Sequence, residues 1–212
     1  MRPPRGLFVT FEGLDGCGKT TQMRLLGDRL RGRGLNVIEA VEPGGTVIGQ
    51  GIRRILLDPV HHGMDPITEM LLYFAARAQN VSEVVEPALA AGSIVLSDRW
   101  TDSTYAYQGF GRQLGGEIVD QLDAIACRGR KPDITFFIDI DLDASLARAR
   151  RRNVEDANTA TRMDDQSRAF FARVRQGYEA LVVREPWRVH RLDGRGTPEE
   201  VAARVAAVFD HV

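Results

Sequence analysis

Gly13-Leu14-Asp15-Gly16-Cys17-Gly18-Lys19-Thr20 follows directly on the apolar run Leu7 to Phe11 and leads into the helical pattern Thr20 to Arg31. Its spacing is G-x-x-x-x-G-K-[ST], and strand, loop and helix in that order is the setting in which this spacing builds a phosphate-binding loop. The glycines let backbone N–H groups converge on phosphate oxygens, and the positive end of the following helix adds to them. Lysine stands only at Lys19 and Lys131, against 26 arginines. A compact ammonium at position 19 suits the β- and γ-phosphates of a nucleotide, where a planar guanidinium is bulkier and differently directed. The hydroxyl of Thr20 is placed to bind the nucleotide's Mg²⁺, and Thr21 closes the nucleotide-contacting stretch.

Outward from this loop, short apolar runs alternate with longer helical patterns. Strands are expected at 35–41, 93–98, 133–140 and 187–192, and helices at 45–58, 65–91, 114–127, 143–152 and 165–184. Asp65 is the expected N-cap of the 65–91 helix, with Pro66 at its first position. Thr197, Pro198 and Glu200 spell a capping box for the last helix. Strand followed by helix, about five times over, argues an α/β fold whose parallel sheet is covered on both faces, and continuous apolar strands agree with that burial. The expectation is a three-layer P-loop NTPase arrangement with a five-stranded sheet in one domain over 1–212. The polar, arginine-rich segment 148–165 stands out from it as a lid.

Composition narrows the partners. With 43% hydrophobic and 27% charged residues and a formal net charge of −1, the chain shows no bias toward nucleic acid or a membrane surface. Its two cysteines, Cys17 and Cys127, make no disulfide framework, and no apolar run reaches spanning length. A cytoplasmic protein is expected.

A second set of residues points to an acceptor beside the nucleotide. Asp98-Arg99 ends a strand, where a parallel sheet presents ligand-binding groups. A carboxylate there can hold Mg²⁺ and the adjacent arginine can clamp an anion. Hydroxyl-rich "TDSTYAYQG" (101–109) follows and carries Thr104 and Gln108. "EPGG" (42–45) ends the second strand, and "LLYFAAR" (71–77) puts Tyr73 and Arg77 on one helix face. An aromatic ring one turn from an arginine suits a base and a phosphate. Each of these is common alone; together on one phosphate-loop scaffold they are specific.

The stretches "FEGLDGCGKTTQ", "EPGGTVIGQGIRRILLD", "LLYFAARAQ", "DRWTDSTYAYQG", "RKPDITFFIDID" and "RARRR" together resemble bacterial thymidylate kinases, over essentially the whole chain. The resemblance implies an ATP-dependent dTMP kinase that gives dTDP in dTTP synthesis, with Mg²⁺, acting as a homodimer. It implies that Asp15 meets the acceptor's 3′-hydroxyl and that Glu42 lies near the acceptor phosphate and the metal. Arg53 and Arg77 would line the acceptor pocket, Arg99 would hold the dTMP phosphate with Asp98 at the metal, and Thr104 and Gln108 would contact base and sugar. The ring stacked on thymine is Tyr73, four residues before Arg77, or its neighbour Phe74. Two positions depart from the family pattern. Val41 stands before EPGG where many relatives have arginine, and Trp100 follows the Asp-Arg pair where Tyr or His is commoner.

Relatives of this kind carry a basic residue for transfer either in the phosphate loop or in the lid. Gly16 occupies the loop position here, so the lid is expected to supply it. Arg152 and Arg148 are the candidates for lid clamp and adenine contact, with Arg162 in addition. Two other readings share part of this evidence. A kinase for another nucleotide or a deoxynucleoside would share the loop and the Asp-Arg pair. A nucleotide-binding switch with little turnover would share the loop, although no N-K-x-D guanine-reading motif is present.

Overall fold

Five strands pair in parallel in the order β2-β3-β1-β4-β5, with β1 at Leu7–Glu12, β2 at Val37–Val41, β3 at Ile94–Asp98, β4 at Ile134–Asp139 and β5 at Val189–Asp193. The computed structural model describes residues 6–155, 162–163 and 166–211, the side chains of 152–155 apart. The three central strands are buried almost throughout, whereas the edge strands β2 and β5 carry partly or fully exposed positions. That gradient is why the central strands read as unbroken apolar runs.

Helices cover both faces. Helix α1 (Lys19–Gly32) and the last helix, α9 (Pro198–Phe209), pack Met23, Leu26, Leu30 and Val205 against Val9, Phe11, Leu96 and Phe136 of the sheet. Opposite them, α8 (Arg168–Arg184) packs Phe170, Val174, Tyr178 and Leu181 against Phe137 and Val189. The remaining helices are α2 (Val47–Leu57), α3 (Pro66–Asn80), α4 (Glu86–Ala90), α5 (Thr101–Thr104), α6 (Gly116–Ala126) and α7 (Leu142–Glu155). The expected caps form: Asp65 accepts from the N–H groups of Ile67 and Thr68, and Thr197 and Glu200 cap each other's backbone.

One stretch differs from expectation for backbone reasons. The helix expected over 65–91 is interrupted by a π-helical turn at Val81–Val85, beyond which Pro87 lies in the first turn of α4. A proline has no N–H to continue an α-ladder, and a widened turn accommodates its ring. The hydroxyl-rich 101–109 stretch is helical, α5 running on into a π-helical segment at Tyr105–Gly111.

Register places the functional ends together. Asp98 at the end of β3 is level with Phe11 of β1 and with Val41 of β2. Three loops therefore leave one edge of the sheet side by side: the phosphate loop, the Asp-Arg turn and the EPGG turn.

Helix α5, which follows Arg99, is anchored from below. Buried Asp102 accepts both Nη atoms of buried Arg188 at 2.7 and 2.8 Å, and Arg188 Nε donates to Glu185 at 2.5 Å. Arg188→Met leaves Asp102 without its counter-ion, and the expected loss is about 3–5 kcal/mol of folding stability. Chemical denaturation measures it; an unchanged midpoint would show that the pair does not anchor the helix.

Candidate active site

The phosphate loop is shaped by what packs behind it. Gly16 has φ +82°, and a Cβ there would lie 2.6 Å from the Ser145 carbonyl oxygen and 2.9 Å from the Ala149 nitrogen, both backbone atoms of α7. Ser145 Oγ also donates to the Asp15 carbonyl at 2.6 Å. Helix α7 thus lies directly on the loop, and exposed Arg148 leaves it beside Gly16. Gly18, at φ +103°, opens α1 in the left-handed conformation that a glycine takes without strain. Leu14 and Cys17 point into the core, so the loop presents backbone there rather than side chains. Thr20 and Thr21 are exposed. Lys19 is buried and lies back on the loop, donating to the carbonyls of Gly13 and Leu14 at 3.2 and 2.9 Å.

Arg99 joins this loop to the neighbouring strand. Its backbone has φ +73°, a conformation that costs a non-glycine residue about 1–2 kcal/mol. Three hydrogen bonds hold the kink: Arg99 N–H to Phe11 O at 3.0 Å, Ser97 Oγ to Arg99 O at 2.8 Å, and Trp100 N–H to Glu12 Oε1 at 2.7 Å. The guanidinium then reaches Asp15 Oδ1 at 2.7 Å, Gly13 O at 3.1 Å and Ser103 Oγ at 2.9 Å, and lies 5.0 Å over the Tyr107 ring. Thr20 Oγ1 donates to Asp98 Oδ2.

Beside the loop opens a cavity of about 740 Å³. Asp15, Lys19, Thr20, Glu42, Arg53, Tyr73, Arg77, Asp98, Arg99, Thr104 and Gln108 all line it, as do Val41, Arg54 and Met163. Arg53 Nη1 donates to Pro43 O at 2.7 Å. Arg53 and Arg54 line the same cavity as Val41, and the Arg53 charge acts on Glu42. Arg77 is fully buried, donates to Thr104 Oγ1 at 3.0 Å and sets Nε 3.5 Å from Glu42 Oε2. Glu42 is also held by Asn80 Nδ2. Burial pushes its carboxyl up, against the opposing Arg77 charge.

The two adjacent rings separate cleanly. Tyr73 is on the cavity wall, whereas Phe74 is buried with Met70 and Val119, its ring 5.1 Å from the Arg77 guanidinium. Phe74 shares no surface with the cavity, because consecutive helical residues point about 100° apart. Trp100 is also core: it packs edge-on to Phe8 at 4.9 Å and lies under Arg77 at 5.4 Å. Of the arginine-rich segment, Arg162 is buried with Nη2 2.6 Å from Glu69 Oε2, while the Arg152 side chain lies outside the described residues.

One participant carries no local sequence signal. Tyr178 comes from α8, 79 residues beyond Arg99, and its hydroxyl touches both Arg99, at 3.3 Å, and Glu12, at 3.0 Å. Glu12 does have a signal: it is a carboxylate ending a buried strand, inside the quoted "FEGLDG".

A phosphate loop on a parallel sheet, with a basic cavity at the adjacent strand end, defines a P-loop phosphotransferase. The thymidylate kinase family model matches residues 11–205. Thymidylate kinase from Pelobacter propionicus is 47% identical over 204 residues, covering 95% of this chain and 93% of that one. The Geobacter sulfurreducens thymidylate kinase is 46% identical, covering 96% of each. The crystal structure of thymidylate kinase from Ehrlichia chaffeensis aligns with a TM-score of 0.78 at 31% identity, over 97% of this chain and all of that one. The chain belongs to the thymidylate kinase family, and ATP is the phosphate donor which that membership implies.

Two predictions follow from the loop and its support. A methyl group at Gly16 meets helix backbone in a left-handed conformation, so Gly16→Ala is expected to lower both activity and stability, the latter by at least about 1–2 kcal/mol. Assay and denaturation together check it, and wild-type values would refute the contact. Glu12, fully buried, has its carboxyl pushed up from 4.5 to about 7, by burial first and then by the Asp102 charge. The folded state therefore holds this proton more tightly than the unfolded chain. Stability from this group is complete below about pH 4.5 and declines until about pH 7, by a total of about 3 kcal/mol. Glu12→Gln has no such slope: its amide oxygen can accept from Trp100 and its NH₂ can donate to Ser103 and Tyr178. The stability gap between wild type and variant, measured at pH 5 and pH 8, should shift toward the variant at the higher pH; a pH-independent gap would show that Glu12 is ionised throughout.

Proposed function

We propose that this chain transfers the γ-phosphoryl group of ATP to dTMP, giving dTDP. The observation that carries this reading is the shared wall: Asp15, Lys19, Thr20, Asp98 and Arg99 line the same cavity as Tyr73, Arg77 and Gln108. One end is built for a triphosphate and the other for a base carrying a phosphate of its own.

On this reading the loop N–H groups and the Lys19 ammonium hold the β- and γ-phosphates, Lys19 exchanging the loop carbonyls for phosphate oxygens. Arg148, beside Gly16, would serve the nucleotide. Arg99, fixed by Asp15 and the Gly13 carbonyl, holds the acceptor phosphate, with Arg53 adding charge from the EPGG side. Asp15 serves the acceptor sugar, Tyr73 stacks on the base, and Thr104 and Gln108 meet its polar edge. Burial pushes the Tyr73 phenol up to about 12, so the ring is neutral. The acceptor phosphate is already a nucleophile at neutral pH. No strong base is therefore needed, and alignment with the γ-phosphorus plus positive charge carries the rate.

Mg²⁺ fits the residues present. Thr20 and Asp98 offer adjacent hard oxygens, and few protein ligands suit a metal that arrives on a triphosphate. Among the described residues no group of three or more His, Cys, Asp or Glu forms a separate cage. Thr20 and Asp98 would hold the ion, which supplies charge neutralisation at the β- and γ-oxygens. Glu42, with both carboxyl oxygens facing Asn80 and Arg77, orients Arg77 on this reading rather than ligating metal. The segment 148–165, of which 156–161 and 164–165 lie outside the described residues, is read as a lid within a single 1–212 domain. Pairing with a second copy is supported by Val47, Ile48 and Ile55 on α2 and Ile67 and Leu71 on α3, all exposed.

Phosphoryl transfer from ATP-Mg²⁺ to dTMP, dUMP, CMP, dGMP and thymidine tests the reading. dTMP is the expected preferred acceptor, and Lys19→Ala should lower turnover by about 10²–10³-fold or more. Better use of another acceptor would keep the phosphate loop and discard the assignments to Tyr73, Arg77 and Gln108. No transfer to any acceptor would favour a binding switch.

A further inference from the structure

Glu69, in the first turn of α3, is fully buried, where a carboxylate is costly unless it is compensated. Three side chains compensate it. Gln108 Nε2 donates to Oε1 at 2.6 Å. Arg112 donates from Nε to Oε1 at 3.2 Å and from Nη2 to Oε2 at 3.0 Å. Arg162 sets Nη2 2.6 Å from Oε2. Burial pushes the carboxyl up, but the Arg112 and Gln108 hydrogen bonds and the two arginine charges outweigh it and hold the group below its ordinary range.

An ionised carboxylate can only accept hydrogen bonds. It therefore takes the NH₂ end of Gln108 and leaves the carbonyl oxygen as the end offered to a ligand in the cavity that Gln108 lines. Arg77, on the same cavity, can only donate. A donor from arginine and an acceptor from glutamine match a pyrimidine edge made of a carbonyl and a ring N–H, as in thymine or uracil. Cytosine presents the reverse, an amino group and an unprotonated ring nitrogen. Glu69 thus sets which end of a symmetric-looking amide the base meets.

The same carboxylate reaches the far side of the cavity. Arg162 N–H donates to Leu57 O at 3.0 Å and its Nε to Leu56 O at 3.1 Å, which docks this short stretch on the end of α2. Its neighbour Met163 lines the cavity.

We propose that Glu69 is a positioning residue that fixes the amide of Gln108 with its oxygen toward the acceptor base and, through Arg162, ties that orientation to the seating of residues 162–163 against the cavity. The inference rests on the reading of dTMP as acceptor.

Glu69→Gln removes the charge at constant shape, and its own amide can donate or accept, so Gln108 is released to turn over. In the variant the KM for dTMP should rise about tenfold or more with kcat changed only a few-fold, and the preference for dTMP over dCMP in kcat/KM should fall by about tenfold. The KM for ATP should stay put. Arg162→Met leaves the Glu69–Gln108 bond in place, so it should raise the KM for dTMP while keeping the preference over dCMP. Thermal unfolding of each variant accompanies the kinetics. Should Glu69→Gln fail to fold, Glu69→Asp keeps the charge for both arginines and should weaken dTMP binding while preserving the preference. A wild-type preference in Glu69→Gln, or an altered preference in Glu69→Asp, would overturn the role in orienting Gln108. An unchanged dTMP KM in Arg162→Met would overturn the coupling. If the wild-type chain itself favours dCMP, the acceptor reading and this inference fall together; if it favours dTMP and the variants do not respond, only this inference falls.

Discussion

The site depends on one strained residue. Arg99 leaves β3 in a left-handed conformation that its side chain disfavours, and in return its guanidinium crosses to the phosphate loop on β1 and grips Asp15 and the Gly13 carbonyl. The kink persists because Phe11, Ser97 and Glu12 tie down its backbone, and strain of this kind survives only where the surroundings over-determine it. The phosphate loop and the cavity beside it are therefore not two features that happen to adjoin. They are two sides of a single clamp, fixed by the register of neighbouring central strands.

Around that clamp the protein buries several carboxylates, and each is handled differently. Asp102 is neutralised by a paired arginine, Glu42 faces Arg77 and Asn80, and Glu69 gathers two arginines and an amide. Glu12 lacks a close counter-ion among its hydrogen-bond partners, which are a backbone N–H and two hydroxyls, and it holds its proton accordingly. Buried charges contribute little net stability but fix geometry sharply. Here they fix the turn after β3, the Arg77 guanidinium at the cavity wall, and the Gln108 amide.

What was legible in the sequence was local. The phosphate loop, the five apolar strands, the Asp65 and Thr197 caps and the Asp-Arg turn are each written within a dozen residues, and each stands where it was expected. Tyr73 could be separated from Phe74 because helical spacing to Arg77 is a local property. The failures were of two kinds. Pro87 marked an interruption of the long helix that the apolar periodicity concealed. Tyr178, Asn80 and the Glu69 cluster belong to the site only through tertiary packing, and a single buried tyrosine or glutamate on a helix has no periodicity to announce it. Trp100, read as a departure from a family pattern, is a packing residue under Arg77 and needs no role in chemistry.

The contact between Gly16 and α7 has a consequence for how such a chain can change over generations. Backbone atoms of the helix already fill the place where a loop side chain would go. On the reading that the arginine-rich segment supplies the positive charge for transfer, moving that charge to position 16 is not an exchange of one residue for another. A side chain at that position meets helix backbone at 2.6 and 2.9 Å, so loop and helix compete for the same space. On that reading the two ways of supplying the charge are separated by a barrier of shape, which lies in the packing of α7 on the loop.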